Sequence, residues 1–192
     1  MSIRQFTSES RTTINWASGT STEIFIYPAN GSFADRNFLF RISTATVEAA
    51  ESTFTFFAGI TRHLMILKGE LELIHEGRYT KHLKPFEQDT FSGEWPTRSK
   101  GKVTDFNLML KEGATGSLTH HRIEAGNAIT FSPKTQYYFL CLASGTATLN
   151  NGKTVKTGDL IQIRNEPEVG MQAPENCDVI EIEVALIQNN TL

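Results

Sequence analysis

Three short segments place charged or amide side chains among apolar neighbours, where only a partner would make them affordable. In Phe38-Leu39-Phe40-Arg41-Ile42-Ser43-Thr44-Ala45 a strand's alternation puts Phe38, Phe40 and Ile42 on one face. Leu39, Arg41, Ser43 and Ala45 take the other. In Asp105-Phe106-Asn107-Leu108-Met109-Leu110 the apolar trio Phe106, Leu108 and Leu110 opposes Asp105, Asn107 and Met109. Arg62 leads Arg62-His63-Leu64-Met65-Ile66-Leu67, a strand apolar on both faces, and so belongs at its mouth. A guanidinium offers five donors in a planar fork matched to a carboxylate, and Ser or Asn can orient the rest of an acid or amide. One reading is therefore a polar pocket that binds a small carboxylated metabolite. The other is an internal ion pair, Arg41 or Arg62 with Asp105. Glu23 alternates with Phe25 and Tyr27 and is expected on their face. It reads as the partner of Arg41 or Arg62, or as a general base with a raised pKa.

Other chemistries lack their spacing. The five histidines are His63, His75, His82, His120 and His121, and no two stand at i, i+2. No strand then delivers a ligand pair to one face, so neither a metal nor another cofactor is expected. The two cysteines, Cys141 and Cys177, lack CxxC spacing and read as buried reduced thiols. Asp89 and Asp159, each before an apolar strand, read as turn residues. Trp16 reads as a core or stapling residue that plugs the barrel end, with stacking on a ligand as the alternative, and Phe54, Phe56 and Phe57 read as core.

The elements that must position these residues are short strands. Glycine turns such as Lys68-Gly69, Glu76-Gly77 and Asn151-Gly152 separate stretches rich in Phe, Ile, Leu, Thr and Val. Strands are predicted over 23–27, 38–47, 62–68, 70–75, 79–83, 105–111 and 118–122. Others follow at 128–131, 136–143, 146–150, 160–163 and 179–185. A helical turn is allowed only at Thr46 to Ser52. A weak repeat joins the halves: Leu64 to Leu73 and Tyr138 to Leu149 are each strand, Gly turn, strand. Each leads to an aspartate before an apolar strand, Asp89-Thr90-Phe91 and Asp159-Leu160-Ile161. The expected fold is all-β, a bicupin of two jelly-roll-like β-barrel halves of RmlC-like type with little helix. The halves are expected at residues 1–115 and 116–192, packed as one globular unit.

Lys and Arg number 18 against 21 Asp and Glu, and this slightly acidic balance gives no reason to expect nucleic acid. Met1 to Ser10 lacks the apolar core of a signal peptide, and the longest apolar runs fall short of a membrane span. A cytoplasmic protein is expected, without a membrane partner. Cupins commonly pair through sheet edges, which makes a homodimer an expectation of the fold.

The chain resembles the HutD/Ves family in five blocks that occur in the family's order. These are Trp16 to Ile24 with Tyr27-Pro28, Phe40 to Val47, Phe54 to Arg62, Phe91 to Pro96 and Asp105 to Met109. They cover about residues 16 to 110, with departures at Ser18, at Phe40 (where the family has Trp) and near Glu51-Ser52. The resemblance implies a bicupin without established catalysis. It implies a regulatory link to bacterial histidine degradation, through an intermediate such as formylglutamate or urocanate. It carries over Glu23, Arg41, Ser43, Arg62, Asp105 and Asn107 as candidate ligand-binding positions. The reading is a non-enzymatic, metal-free binder of a small acid. Its alternative is a metal-independent isomerase or hydrolase with Glu23 or Asp105 as general base.

Overall fold

The structure is a computed structural model, and it describes residues 2–187. The described residues are almost wholly strands and turns. The first eleven strands are β1 (Ser2–Phe6), β2 (Thr13–Trp16), β3 (Gly19–Tyr27), β4 (Phe40–Val47), β5 (Glu51–Thr53), β6 (Ile60–Lys68), β7 (Leu71–His75), β8 (Tyr79–Leu83), β9 (Gln88–Ser92), β10 (Thr97–Lys100) and β11 (Val103–Lys111). The remainder are β12 (Ala114–Ile123), β13 (Ala128–Phe131), β14 (Tyr137–Ser144), β15 (Thr146–Leu149), β16 (Thr154–Lys156), β17 (Leu160–Arg164), β18 (Val169–Gln172) and β19 (Cys177–Leu186). A 3₁₀ turn occupies Ser8–Ser10. The helical turn allowed at Thr46 to Ser52 does not form. Those residues end β4 and begin β5, because Val47 and Ser52 point inward while Glu48 and Glu51 stay in water. Among the described residues no helix is long and apolar enough to cross a membrane.

Residues 11–114 form one compact unit of two sheets. The larger has the order β2-β3-β4-β11-β6-β9 and the smaller β5-β10-β7-β8. Val47, Leu64, Ile66, Phe91 and Val103 from the first meet Leu71, Leu73 and Leu83 from the second, closing a core between them. The large sheet is buried on its other side too, where Phe40, Ile42, Phe106 and Leu108 are inaccessible to solvent. Phe25 and Tyr27 stack on Phe40 there, with ring centroids 5.7 and 5.3 Å away.

A second unit is built from residues 115–187 together with residues 2–10. Its sheets run β1-β17-β14-β19-β12 and β13-β18-β15-β16. The first strand does not stay with the half that follows it in sequence. β1 pairs antiparallel with β17, Ser2 opposite Arg164 and Phe6 opposite Leu160. Asp159 ties this arrangement down by accepting from Gln5 Nε2 at 2.9 Å and from the Lys156 amide at 3.0 Å. Cys141 and Cys177 are both buried and free.

At one position in the larger sheet of the first unit the backbone leaves no room for a side chain. Gly19 opens β3 opposite Val47 and Trp16, and a Cβ there would lie 1.8 Å from the Thr46 carbonyl oxygen. The requirement is backbone approach between β3 and β4 rather than a turn. Gly19→Ala is expected to lower stability in urea unfolding by about 1–3 kcal/mol, as overpacking does, and a wild-type midpoint would refute the contact.

Candidate functional site

Strands β4, β11 and β6 lie side by side, and their register decides which side chains meet. Met109 stands opposite Arg41 on one side and Arg62 on the other. Two strand spacings separate the arginines, so their Cα atoms are roughly 10 Å apart in one row. On the same face of β11, Asn107 lies opposite Ser43 and Asp105 opposite Ala45. Alternation in β4 and β11 therefore predicts the inward polar set correctly. Arg62, expected at the mouth of its strand, is in fact largely buried.

These residues border a cavity of about 190 Å³ inside the first unit. Its polar wall is Arg41, Ser43, Arg62, Asp105 and Asn107, with Ser21 near the rim. Its apolar wall comes from Ile14, Trp16, Phe33, Phe54, Phe57 and Met109. Trp16, Ser52, Thr53 and Thr55 also border a wider recess of about 570 Å³ that carries Arg98 and Lys100. Those four residues form the mouth.

The two guanidiniums are held differently. Arg41 Nε donates to Glu23 Oε2 at 2.9 Å and Nη1 to Ser43 Oγ at 2.8 Å, with the Phe33 ring 4.1 Å from its carbon. Arg62 Nη2 donates to Asn107 Oδ1 at 3.0 Å, and Asn107 Nδ2 donates to Asp105 Oδ1. Asp105 thus reaches Arg62 through an amide. The Arg62 guanidinium lies 4.7 Å from the Phe54 ring and 5.4 Å from that of Phe91. Its Nε–H is buried with no acceptor. An orphaned donor of that kind costs roughly 1–3 kcal/mol, more on a charged group.

Glu23 does not share the face of Phe25 and Tyr27 as alternation predicts. A β-bulge between Glu23 and Phe25 shifts the register, leaving Glu23 opposite Ser43 and Phe25 opposite Ile42. Glu23 consequently holds Arg41 from outside the cavity wall, with its side chain a third exposed.

Burial raises the Asp105 carboxyl to about 7, although the Arg62 charge, the Asn107 amide and the Ala45 backbone amide all pull the other way. Burial lowers Arg62 to about 10, with Asp105 opposing the shift and Arg41 adding to it. Burial also lowers Arg41, against the bond and charge of Glu23. Near neutrality Arg41 is matched by Glu23, while Arg62 faces an acid that is only partly ionised.

Three residues read differently in the sequence. Trp16 is not core: it is 37% exposed at the mouth, and Phe56 is 58% exposed. Asp89 is no turn residue but the partner of the buried His75, whose Nε2 lies 2.9 Å from Asp89 Oδ2. Thr97 Oγ1 meets His75 Nδ1 at 2.8 Å, and Lys81 and Tyr79 also donate to Asp89. Burial raises the Asp89 carboxyl, yet these hydrogen bonds and the Lys81 charge prevail and hold it below its usual range. The alternation of Asp89 with Phe91 was the available signal. Among the described residues no group of three or more His, Cys, Asp and Glu is placed to hold a metal ion.

The HutD family profile matches residues 8–180. A curated Pseudomonas putida relative, an uncharacterized 21.2 kDa protein in the hutC 3′ region, is 36% identical over 76 residues. That match spans 38% of this chain and 40% of the relative, so under half of either. A conserved protein of unknown function from Pseudomonas aeruginosa PAO1 superposes with a TM-score of 0.81 at 20% identity, covering 96% of this chain and 100% of that one. HutD from Pseudomonas fluorescens SBW25 (formate condition) gives 0.73 at 18%, covering 95% and 99%. These likenesses establish the fold, which YhhW from Escherichia coli shares with a TM-score of 0.73 at 12% identity, covering 94% of this chain and 97% of that one.

The Asp105 shift fixes a sign. Between its unfolded value, 3.8, and about 7, the folded state keeps a proton that the unfolded chain has released. The stability contribution of Asp105 therefore falls as pH rises through that interval. In urea unfolding between pH 4.5 and 8, the wild-type minus Asp105→Asn difference is expected to decline with rising pH. A flat difference would refute a buried, proton-holding Asp105.

Proposed function

This chain belongs to the HutD family, and we propose that it is a non-enzymatic, metal-free bicupin that binds a small carboxylated metabolite and has a regulatory role linked to histidine catabolism. In this reading the two units are two jelly-roll-like halves, and the first carries the ligand. Arg41, Ser43, Arg62, Asp105 and Asn107 line the site, and Glu23 supports it by fixing Arg41.

The Arg62 guanidinium on the cavity wall, bonded to a neutral amide and to no carboxylate, carries the proposal. An internal ion-pair network would have set a carboxylate directly against it. Here the guanidinium is bonded to Asn107 and flanked by two rings. The charge balance points the same way, since Glu23 neutralises Arg41 and burial leaves Asp105 a weak counter-ion for Arg62. A carboxylate in the cavity supplies the charge that Arg62 lacks, through short charge-assisted bonds. The regulatory link rests on family membership and on the hutC-region location named for the P. putida relative.

A second reading has one observation behind it. Asp105 lies on the cavity wall with its carboxyl raised to about 7, suited to a general base near neutrality. A metal-independent reaction on the same acid would use it. Glu23, bonded to Arg41 outside the lining, would not serve.

Thermal-shift and calorimetric titration with urocanate, formylglutamate and simple monocarboxylates is expected to show saturable binding. Arg62→Ala should weaken it at least tenfold, and Arg62→Lys should recover only part, since an ammonium lacks the fork. Absence of binding to every acid would sink the proposal. Turnover of a bound acid, lost in Asp105→Asn while binding persists, would replace it with the second reading.

A further inference from the structure

We infer that the cavity of the first unit takes up an acid together with a proton, that Asp105 holds the proton, and that affinity therefore falls as the medium turns alkaline. The inference rests on the carboxylate-binding reading above and adds the regulation of that site, whichever small acid occupies it.

The charges on the wall decide the matter. Arg41 is paired with Glu23 at 2.9 Å. Arg62 is bonded to the neutral Asn107 amide, and Asp105 lies on that amide's far side. With both carboxyls ionised these four groups sum to zero, so a bound carboxylate leaves one negative charge without a cation. With Asp105 neutral they sum to plus one, and the same carboxylate brings the wall into balance. An unmatched charge out of water is far less favourable than a neutral carboxyl. Anion and proton therefore enter as a pair.

Among the described residues the other charged groups around Asp105 are engaged or turned away. His63 bonds Thr90 on the opposite face of β6, and Lys68 at the end of that strand is exposed. From β7 and β9, His75 and Asp89 are bonded to each other, and Lys81 and Tyr79 reach Asp89 from β8. β5 and β10 turn Ser52 and Ser99 inward, bonded to each other at 2.8 Å, while Glu51, Arg98 and Lys100 are exposed. None of these can neutralise a second carboxylate.

The surroundings of Asp105 suit the task. It is buried and accepts from Asn107 Nδ2 and the Ala45 backbone amide. Neutral donors of this kind steady a carboxylate without cancelling its charge. Burial already raises the carboxyl to about 7 against the pull of Arg62. A carboxylate seated on Arg62 offsets that pull and strengthens the hold on the proton. By reciprocity, a proton on Asp105 tightens acid binding by the same factor.

The test uses the full chain and whichever of acetate, benzoate and formylglutamate binds most tightly, since all three stay ionised from pH 6 to 8.5. Calorimetry at pH 8 in phosphate and in Tris, whose ionisation enthalpies differ, counts the protons. Uptake close to one per bound acid is expected there, and close to none at pH 6. Arg62, at about 10, is still charged at pH 8 and does not contribute. The dissociation constant is expected to rise at least tenfold between pH 6 and 8.5, its slope approaching roughly tenfold per pH unit. Asp105→Asn, whose amide stands in for the neutral carboxyl, should abolish the uptake and bind at pH 8.5 at least fivefold more tightly than wild type. A merely damaged site would bind more weakly at every pH. If that variant does not fold, Glu23→Gln frees Arg41 as a spare cation and should bring the uptake at pH 8 below one half. Binding without proton uptake and without pH dependence would overturn the inference and leave the carboxylate reading standing. No binding of any of the three acids at any pH would overturn both.

Discussion

A guanidinium kept out of water must be surrounded by something that tolerates its charge, and the first unit is organised around that demand at Arg62. Sheet register brings Asn107 within reach, Asn107 relays the guanidinium to Asp105, and Phe54 and Phe91 lend their ring faces. None of these would suffice alone, because desolvating a cation costs several kcal/mol before any partner is counted. The compensation is left incomplete. Burial makes Asp105 reluctant to ionise, and one N–H has no acceptor. A protein optimised only for stability could place a leucine there.

The second unit has a leucine at the position that the short aspartate-strand repeat sets against it. When Asp89-Thr90-Phe91 is set against Asp159-Leu160-Ile161, Phe91 corresponds to Ile161. Phe91 pairs with Arg62 and Ile161 with Leu140, so Leu140 occupies the arginine's place. Met109, opposite Arg62, corresponds to Glu181, opposite Leu140. That glutamate is engaged by His121 Nε2 at 2.7 Å and by the Tyr138 hydroxyl. Burial and Glu181 together push the Tyr138 hydroxyl well above the ordinary phenol range. The two units thus handle polar groups oppositely at these positions. In the second the polar groups satisfy one another, and in the first they leave a donor over.

How much of this was legible depended on how local the signal was. The inward sets of β4 and β11 follow from a period of two, so Arg41, Ser43, Asp105 and Asn107 could be assigned to one side without knowing any contact. The same rule failed at Glu23, because one extra residue in a strand reverses the faces and leaves little trace in composition. The exposed strand β2 escapes the pattern because it is only four residues long, although Ile14 and Trp16 alternate with Thr13 and Asn15. β1, also at a sheet edge, escapes it as well. The aromatic wall was illegible for a different reason. Phe33, Phe54 and Phe57 lie in connecting segments, and only three-dimensional closure brings them to β4 and β6. The family blocks caught most of these residues as a group. They could not say that Glu23 stands behind Arg41 or that Trp16 sits at a mouth.

The pairing of β1 with β17 also sets an order of events during synthesis. Ser2 lies opposite Arg164, so the first strand leaves the ribosome long before its partner exists. At roughly 5–20 residues per second the wait is on the order of ten to thirty seconds. Residues 11–114 are completed within that interval and contain all the pairing their own sheets require. That unit can therefore mature on the nascent chain, while β1 remains an unpaired strand that must neither join the wrong edge nor aggregate. Its alternation of Ser2, Arg4 and Phe6 with Ile3 and Gln5 keeps the waiting segment polar enough to stay in solution.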